Sequence, residues 1–345
     1  MRKSQVWGCA LLALVWAPCL TPAQQLREVF RQVNPAVVVV HTREKNATQQ
    51  PVEGAVAQAE GVGSGVLVSA EGHVLTAAHV VQTADQIEVQ FLHGERIPAR
   101  VAGAAPQADL ALLQLARVPR QAVVARLGDS GKSEPGDQVF VIGAPHGAAH
   151  SLAVGWISAR RTPEGFYENM TALEVFQIDA PVYQGNSGGP VFNLEGEIIG
   201  VVSHILALSQ GGGGPAFAVT SNVARRLMLE GKRVWVGVET FLLEGVMAGL
   251  FNVPQSAGLL VQSVAEGSLA ANLGLREGTI RMTIQEQPLI AGGDIILEML
   301  GQPVQPAGTY LDSLDRALQS LRSGDLIQVR VLRSGVVREL TARVP

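Results

Sequence analysis

The chain has 345 residues, 47% apolar and 16% charged, with 26 Lys and Arg against 30 Asp and Glu and a net charge of −4. That composition excludes a disordered chain and supplies no basic field to hold nucleic acid. The length accommodates two domains, and 38 glycines suit a turn-rich β protein better than a helical one.

Arg2 and Lys3 precede an apolar stretch from Val6 to Leu20, and Thr21-Pro22-Ala23 supplies small residues after it. This reads as a signal peptide over residues 1–23, cleaved before Gln24, with an uncleaved membrane anchor as the alternative. Both cysteines, Cys9 and Cys19, fall inside it. The mature chain is therefore expected to lack disulfides, a thiol nucleophile and cysteine metal ligands, which points to a bacterial envelope protein. With no metal-ligand cluster in the sequence, no cofactor is expected.

Leu26 to Arg31 is mixed in polarity and predicts a short helix or arm. Ala36 to His41 predicts a strand, and Thr42 to Glu60 a long polar loop. From Gly61 to Val219 short β-rich segments alternate with Gly, Pro, Asn and Asp: 65–69, 72–76, 87–92, 110–115, 138–142, 154–158, 175–178, 190–193 and 198–203. That rhythm marks an all-β barrel or sandwich. A helix capped by Ser221 follows, with Val223, Leu227 and Met228 at helical spacing. Glu230-Gly231-Lys232-Arg233 is the natural boundary, giving domains over residues 24–230 and 234–345. In the second, predicted strands at 235–239, 258–264, 294–299, 326–332 and 336–342 alternate with a helix from Tyr310 to Ser320, a small α+β unit.

Three motifs carry chemistry. In Gly185-Asn186-Ser187-Gly188-Gly189-Pro190 a hydroxyl lies in a glycine turn that can aim backbone N–H groups at one point; the amides of Gly185 and Ser187 would form an oxyanion hole. Thr76-Ala77-Ala78-His79 places an imidazole after a buried strand among small residues. Asp109 stands at the mouth of the apolar strand Leu110–Leu115, where an unpaired carboxylate is costly and a histidine Nδ1–H offsets the cost. Asp129, Asp137 and Asp179 are rivals, the first two having local work in glycine turns. The order His, Asp, Ser is that of a nucleophile with its base and orienting acid, the apparatus of serine peptidases.

These stretches, with Gly63-Ser64-Gly65-Val66-Leu67-Val68, Leu127-Gly128-Asp129-Ser130, Val141 to Gly147 and Phe217-Ala218-Val219, resemble the HtrA/Deg family of trypsin-like serine endopeptidases. The resemblance implies a mainly β fold, a trypsin-like double β-barrel protease domain followed by a PDZ domain. It implies homotrimers in the periplasm that cleave misfolded or signalling proteins without ATP. His79, Asp109 and Ser187 match the family triad, and Gly185 and Asn186 its oxyanion-hole loop. Pro181-Val182 and Val201-Val202 match its pocket-forming segments, and the absence of a carboxylate there predicts cleavage after small or aliphatic residues. Trp235-Val236-Gly237-Val238 resembles the PDZ loop that binds a C-terminal carboxylate, a peptide adding as a strand beside it.

The chain departs from the family pattern where Arg276 to Gly292 intervenes before Gly293-Asp294-Ile295-Ile296. The glycine-bearing loops Thr42–Glu60, Arg160–Met170 and Ser203–Pro215 are expected to switch activity when the PDZ domain takes a peptide. A membrane-tethered sensor protease with one substrate, and a chaperone or scaffold with secondary proteolysis, remain alternatives.

Overall fold

The computed structural model describes residues 21–44, 59–161, 173–203, 216–231, 233–284, 287–306 and 310–344. The signal-peptide reading therefore lies almost wholly outside the described residues, as do most of the three expected switch loops.

Six strands, β1 (Val37–Glu44), β2 (Ala59–Leu67), β3 (His73–Thr76), β4 (Gln86–Gln90), β5 (Arg96–Ala105) and β6 (Leu110–Leu115), close a barrel in the order β1-β2-β3-β6-β5-β4. The strand β5 is absent from the sequence reading because Arg96, Pro98, Arg100 and a run of Ala and Gly give it little β-propensity. Pairing to β4 and β6 fixes it, with Ile97 and Val101 turned into the core.

A second set, β7 (Arg126–Leu127), β8 (Gln138–Gly143), β9 (Ser151–Arg161), β10 (Val175–Ile178), β11 (Pro190–Phe192), β12 (Glu197–Ser203) and β13 (Ala216–Thr220), forms a sheet in the order β11-β8-β9-β10-β13-β12-β7. The additional pairing of β11 with β12 closes it into the second barrel, with β7 appended in parallel. One apolar cluster spans both barrels: Val37, Val66 and Leu110 meet Phe140, Phe192 and Phe217. This shared core fixes the seam at which the site lies. The N-terminal helix α1 (Pro22–Val33) lays Leu26, Val29 and Phe30 on the same cluster. It is longer than the predicted arm because Thr21 and Gln24 form a capping box at its start.

After β13 the chain turns through Ser221–Ala224 and a wider helical turn, Arg225–Glu230. Ser221 does not cap it: its Oγ donates to the Gly128 carbonyl at 2.9 Å, and Thr220 holds the cap position.

The C-terminal domain is an antiparallel sheet built from β14 (Val238–Glu244), β15 (Ala257–Val264), β18 (Ile295–Met299), β20 (Leu326–Arg333) and β21 (Val336–Arg343) in the order β14-β15-β18-β20-β21, with β19 (Gln302–Pro303) beside β18. The predicted helix appears at Tyr310–Ser320. The intervening segment after Leu275 forms a hairpin of β16 (Ile280–Ile284) and β17 (Gln287–Ala291). Its base is stapled by the buried Asp294, which accepts the Arg276 N–H at 2.9 Å and pairs with Arg333 at 2.7 Å.

The expected strand at 235–239 begins only at Val238, because Trp235 is drawn to the first barrel. Its indole N–H donates to the Gln82 carbonyl at 3.2 Å, while the Gln82 side chain donates to the Val238 carbonyl at 3.1 Å. The Glu266 N–H to Asp85 carboxylate bond, 2.9 Å, adds a third tie between the domains.

Candidate active site

His79 lies in a single helical turn, Ala78–Val81, directly after β3. Ala77 and Ala78 are buried, which brings that turn down onto the barrel. Asp109 follows the turn Pro106–Ala108 in the left-handed conformation, φ 48° and ψ 41°, its N–H returning to the Pro106 carbonyl at 3.0 Å. Aspartate tolerates that conformation better than most residues. The turn delivers the carboxylate, only 2% exposed, to the imidazole.

His79 Nδ1 lies 2.9 Å from each carboxylate oxygen, and the His79 backbone N–H donates to Oδ1 at 3.0 Å. A third group joins them: Ser203 Oγ, at the end of β12, donates to Oδ2 at 2.7 Å. Sequence reasoning missed Ser203, since nothing local distinguishes a hydroxyl at the end of an apolar strand. With Nδ1–H given to the carboxylate, Nε2 is left as the acceptor, the tautomer a general base needs.

Across the seam, the nucleophile turn is built from backbone. Gly185 has φ +99°, and a Cβ there would sit 2.1 Å from the Ala144 carbonyl oxygen. Gly188 has φ +82°, and its Cβ would meet Thr76 Oγ1 at 2.3 Å. Only glycine fits either place. The turn is tied to β12 by Gly188 N–H to Val202 O (2.8 Å) and Val202 N–H to Gly189 O (2.9 Å). Among the described residues, the amides of Gly185 and Ser187 make no backbone hydrogen bond.

The two halves meet at Gly63. A Cβ on it would lie 2.7 Å from Val80, the neighbour of His79, and 3.3 Å from the Ser187 carbonyl. His79, Asp109 and Ser187 are thus gathered at one seam. The rival aspartates are engaged elsewhere. Asp129 accepts from Gly131 N–H and the Asn222 amide at 3.0 and 2.8 Å; the Asn222 bond first, then the Gly131 bond, lowers its pKa. Asp137 accepts from Glu134 N–H and Asp179 from Trp156 N–H, at 2.8 and 2.6 Å.

The remaining site residues named from the sequence take the following places. The Asn186 N–H donates to the Tyr183 carbonyl at 3.0 Å, so it closes the turn. Val201 and Val202, 0% and 1% exposed, point into opposite cores and offer no open side-chain wall. Pro181 is exposed, and Val182 is half-buried against the second barrel's core. In the C-terminal domain Val236 and Val238 pack on its core and the Gly237 carbonyl accepts Ala265 N–H at 2.9 Å, whereas Trp235 serves the domain junction.

A buried carboxylate holding an imidazole on one barrel, facing a glycine turn with a serine on the other, is the arrangement of trypsin-like serine peptidases. The trypsin-like peptidase domain family matches residues 63–201. A probable periplasmic serine endoprotease DegP-like from Ectopseudomonas mendocina (strain ymp) is 32% identical over 333 residues, covering 86% of this chain and 68% of that protein. Its counterpart from Pseudomonas putida (strain GB-1) is 33% identical over 311 residues, covering 87% of this chain and 60% of that protein, so the chain spans less than two thirds of that relative's length. Among solved structures, the HtrA-type protease AlgW with decapeptide aligns over 92% of this chain and 98% of its own, at 28% identity and a TM-score of 0.52. The chain belongs to the HtrA family of DegP-like periplasmic serine endoproteases.

Proposed function

We propose that the protein is an ATP-independent serine endopeptidase of the bacterial envelope that cleaves misfolded or signalling proteins through an acyl-enzyme. His79 Nε2 takes the Ser187 proton as Oγ attacks the scissile carbonyl, while Asp109 fixes the tautomer and stabilises the imidazolium. The Gly185 and Ser187 amides stabilise the oxyanion. His79 then protonates the leaving amine, and a water activated in the same way hydrolyses the ester. The observation that carries this reading is the grip of the buried Asp109 on His79, both oxygens at 2.9 Å from Nδ1, opposite a turn whose Gly185 and Ser187 amides make no backbone hydrogen bond among the described residues.

The segments Pro181–Gln184 and Val201–Ser203 carry no carboxylate, which favours cleavage after small or aliphatic residues. The C-terminal domain binds peptide termini and regulates the protease. Support for this is β14, which lies at the end of its sheet and can accept an added strand beside Val236-Gly237-Val238. The solved AlgW structures with a decapeptide and with a tripeptide agree with peptide binding in the family. Homotrimers follow from the family resemblance.

The test is degradation of unfolded casein by the purified protein beside its Ser187→Ala variant. The variant is expected to lose several orders of magnitude in rate, roughly 10⁴-fold or more. Equal cleavage by both proteins overturns the reading.

A further inference from the structure

One hydroxyl outside the triad joins the first barrel to the oxyanion turn of the second. Ser64 lies in β2 and is 0% exposed. Its Oγ donates to the Gly185 carbonyl at 2.7 Å and accepts the Ala144 N–H at 2.9 Å. Its backbone N–H donates to the Ser187 carbonyl at 2.8 Å, and its own carbonyl accepts from Thr76 Oγ1 at 2.7 Å. The surroundings are closed: a Cβ on Gly143 would come within 3.0 Å of the Ser64 hydroxyl, and one on Gly189 within 3.2 Å of its Cβ.

The consequence follows from peptide geometry. In a trans peptide the carbonyl and the next N–H point in opposite directions, and no cis bond occurs among the described residues. Holding a carbonyl therefore aims the amide that follows it. The Gln184 carbonyl is held by His146 N–H at 2.8 Å, which turns the Gly185 N–H the other way. The Asn186 carbonyl is held by Gly189 N–H at 2.9 Å, which does the same for the Ser187 N–H. Between these donor planes lies the Gly185–Asn186 plane, whose N–H reaches the Tyr183 carbonyl at 3.0 Å and whose carbonyl is held by Ser64. Without that hydroxyl, the Gly185 carbonyl and the Ala144 N–H both lose a buried partner. Glycine also imposes little resistance to rotation of the plane.

We propose that Ser64 is a positioning residue for the oxyanion hole, its hydroxyl fixing the peptide plane that separates the two donor amides. It acts through Gly185 and does not touch substrate. One hydrogen to give and one lone pair to receive are both used, which serine supplies in the smallest volume. The inference rests on the serine-endopeptidase reading above.

The experiment compares the wild-type full chain with Ser64→Ala and Ser64→Cys. Active sites are counted by exhaustive labelling of Ser187 with a fluorophosphonate, and kcat and KM per labelled site are read on a fluorogenic peptide with an aliphatic residue before the scissile bond. Affinity for a peptide aldehyde, which forms a tetrahedral adduct with the serine, is measured in parallel. Ser64→Ala is expected to lose about 10- to 100-fold in kcat per site, less than deletion of an oxyanion donor, with KM within about twofold. Aldehyde affinity should fall by the same factor as kcat/KM, and Ser64→Cys, with a weak donor, should fall between. Unchanged kcat and aldehyde affinity per site, with loss only of labelled fraction or melting temperature, would make Ser64 a strut and overturn the inference. If Ser64→Ala yields no labelled sites, Ser64→Cys decides on the same criterion. A wild type that Ser187-directed reagent does not label fails the endopeptidase reading itself, before any variant is compared.

Discussion

The two barrels contribute to the site by different means. The first supplies the base and its carboxylate: Asp109 is sunk to 2% exposure and accepts from the His79 backbone and ring, while Ser203 of the second barrel adds a bond across the seam. The second supplies the Ser187 hydroxyl on a turn built from backbone, whose Gln184, Gly185 and Asn186 carbonyls are each held by a hydrogen bond. Side-chain machinery tolerates changes in the chain around it provided those bonds survive. Backbone machinery depends on residues with no side chain at all, and a Cβ at Gly185 would meet the Ala144 carbonyl oxygen at 2.1 Å.

The largest expected effect on this contrast comes from Asp109→Asn. An amide side chain can donate to Nδ1 and so select the wrong tautomer, and kcat should fall by about 10⁴-fold with the fold intact. Steady-state kinetics with a circular-dichroism melt would check it, and a loss under tenfold would mean that the carboxylate does not orient His79. Gly185→Ala comes next. Its Cβ would lie 2.1 Å from the Ala144 oxygen at φ +99°, so the turn must move, and a loss of about 10²- to 10³-fold in kcat is expected, like that of removing an oxyanion donor. Near-normal kcat in this variant would show that the backbone half is not rigid.

Ser203→Ala removes one of the bonds to the buried carboxylate while leaving both His79 bonds. A loss of about tenfold in kcat, with KM little altered, corresponds to one charge-assisted hydrogen bond. A change confined to KM would instead assign Ser203 to substrate binding. The smallest effect concerns the seam. His150 Nδ1 lies 2.9 Å from Asn34 Oδ1, joining the second barrel to the start of the first. Burial, and secondarily the charge of His93, holds its pKa below the ordinary 6.5. The unfolded chain therefore takes up the proton first, and this contribution to stability, present above pH 6.5, is lost as pH falls through the lower folded value. His150→Asn, which suits the φ of +58°, should flatten the fall of Tm in that acid range. An unchanged pH profile would remove His150 from the seam's acid sensitivity.

Much of the fold was legible because its signals are local. Alternating apolar residues marked most barrel strands, and Tyr310–Ser320 was read to the residue as a helix. The strands β5 and β13 were not, since pairing with neighbours holds β5 against its own weak propensity and β13 adjoins a glycine run. Trp235 was legible only through its neighbours, whereas its hydrogen-bond partner, Gln82, lies 153 residues away.

By itself the sequence determined the class of chemistry. Glycines where only a missing side chain fits, small residues before a histidine and an aspartate at the mouth of an apolar strand each state a local requirement, and local requirements are written in neighbouring residues. Tertiary structure alone decided which hydroxyls reach those groups. Ser203 reaches Asp109 across 94 positions and Ser64 reaches Gly185 across 121. Serine is common and its hydroxyl is indifferent to sequence context, so only closure of the two barrels against their shared core could show which hydroxyls were caught between them.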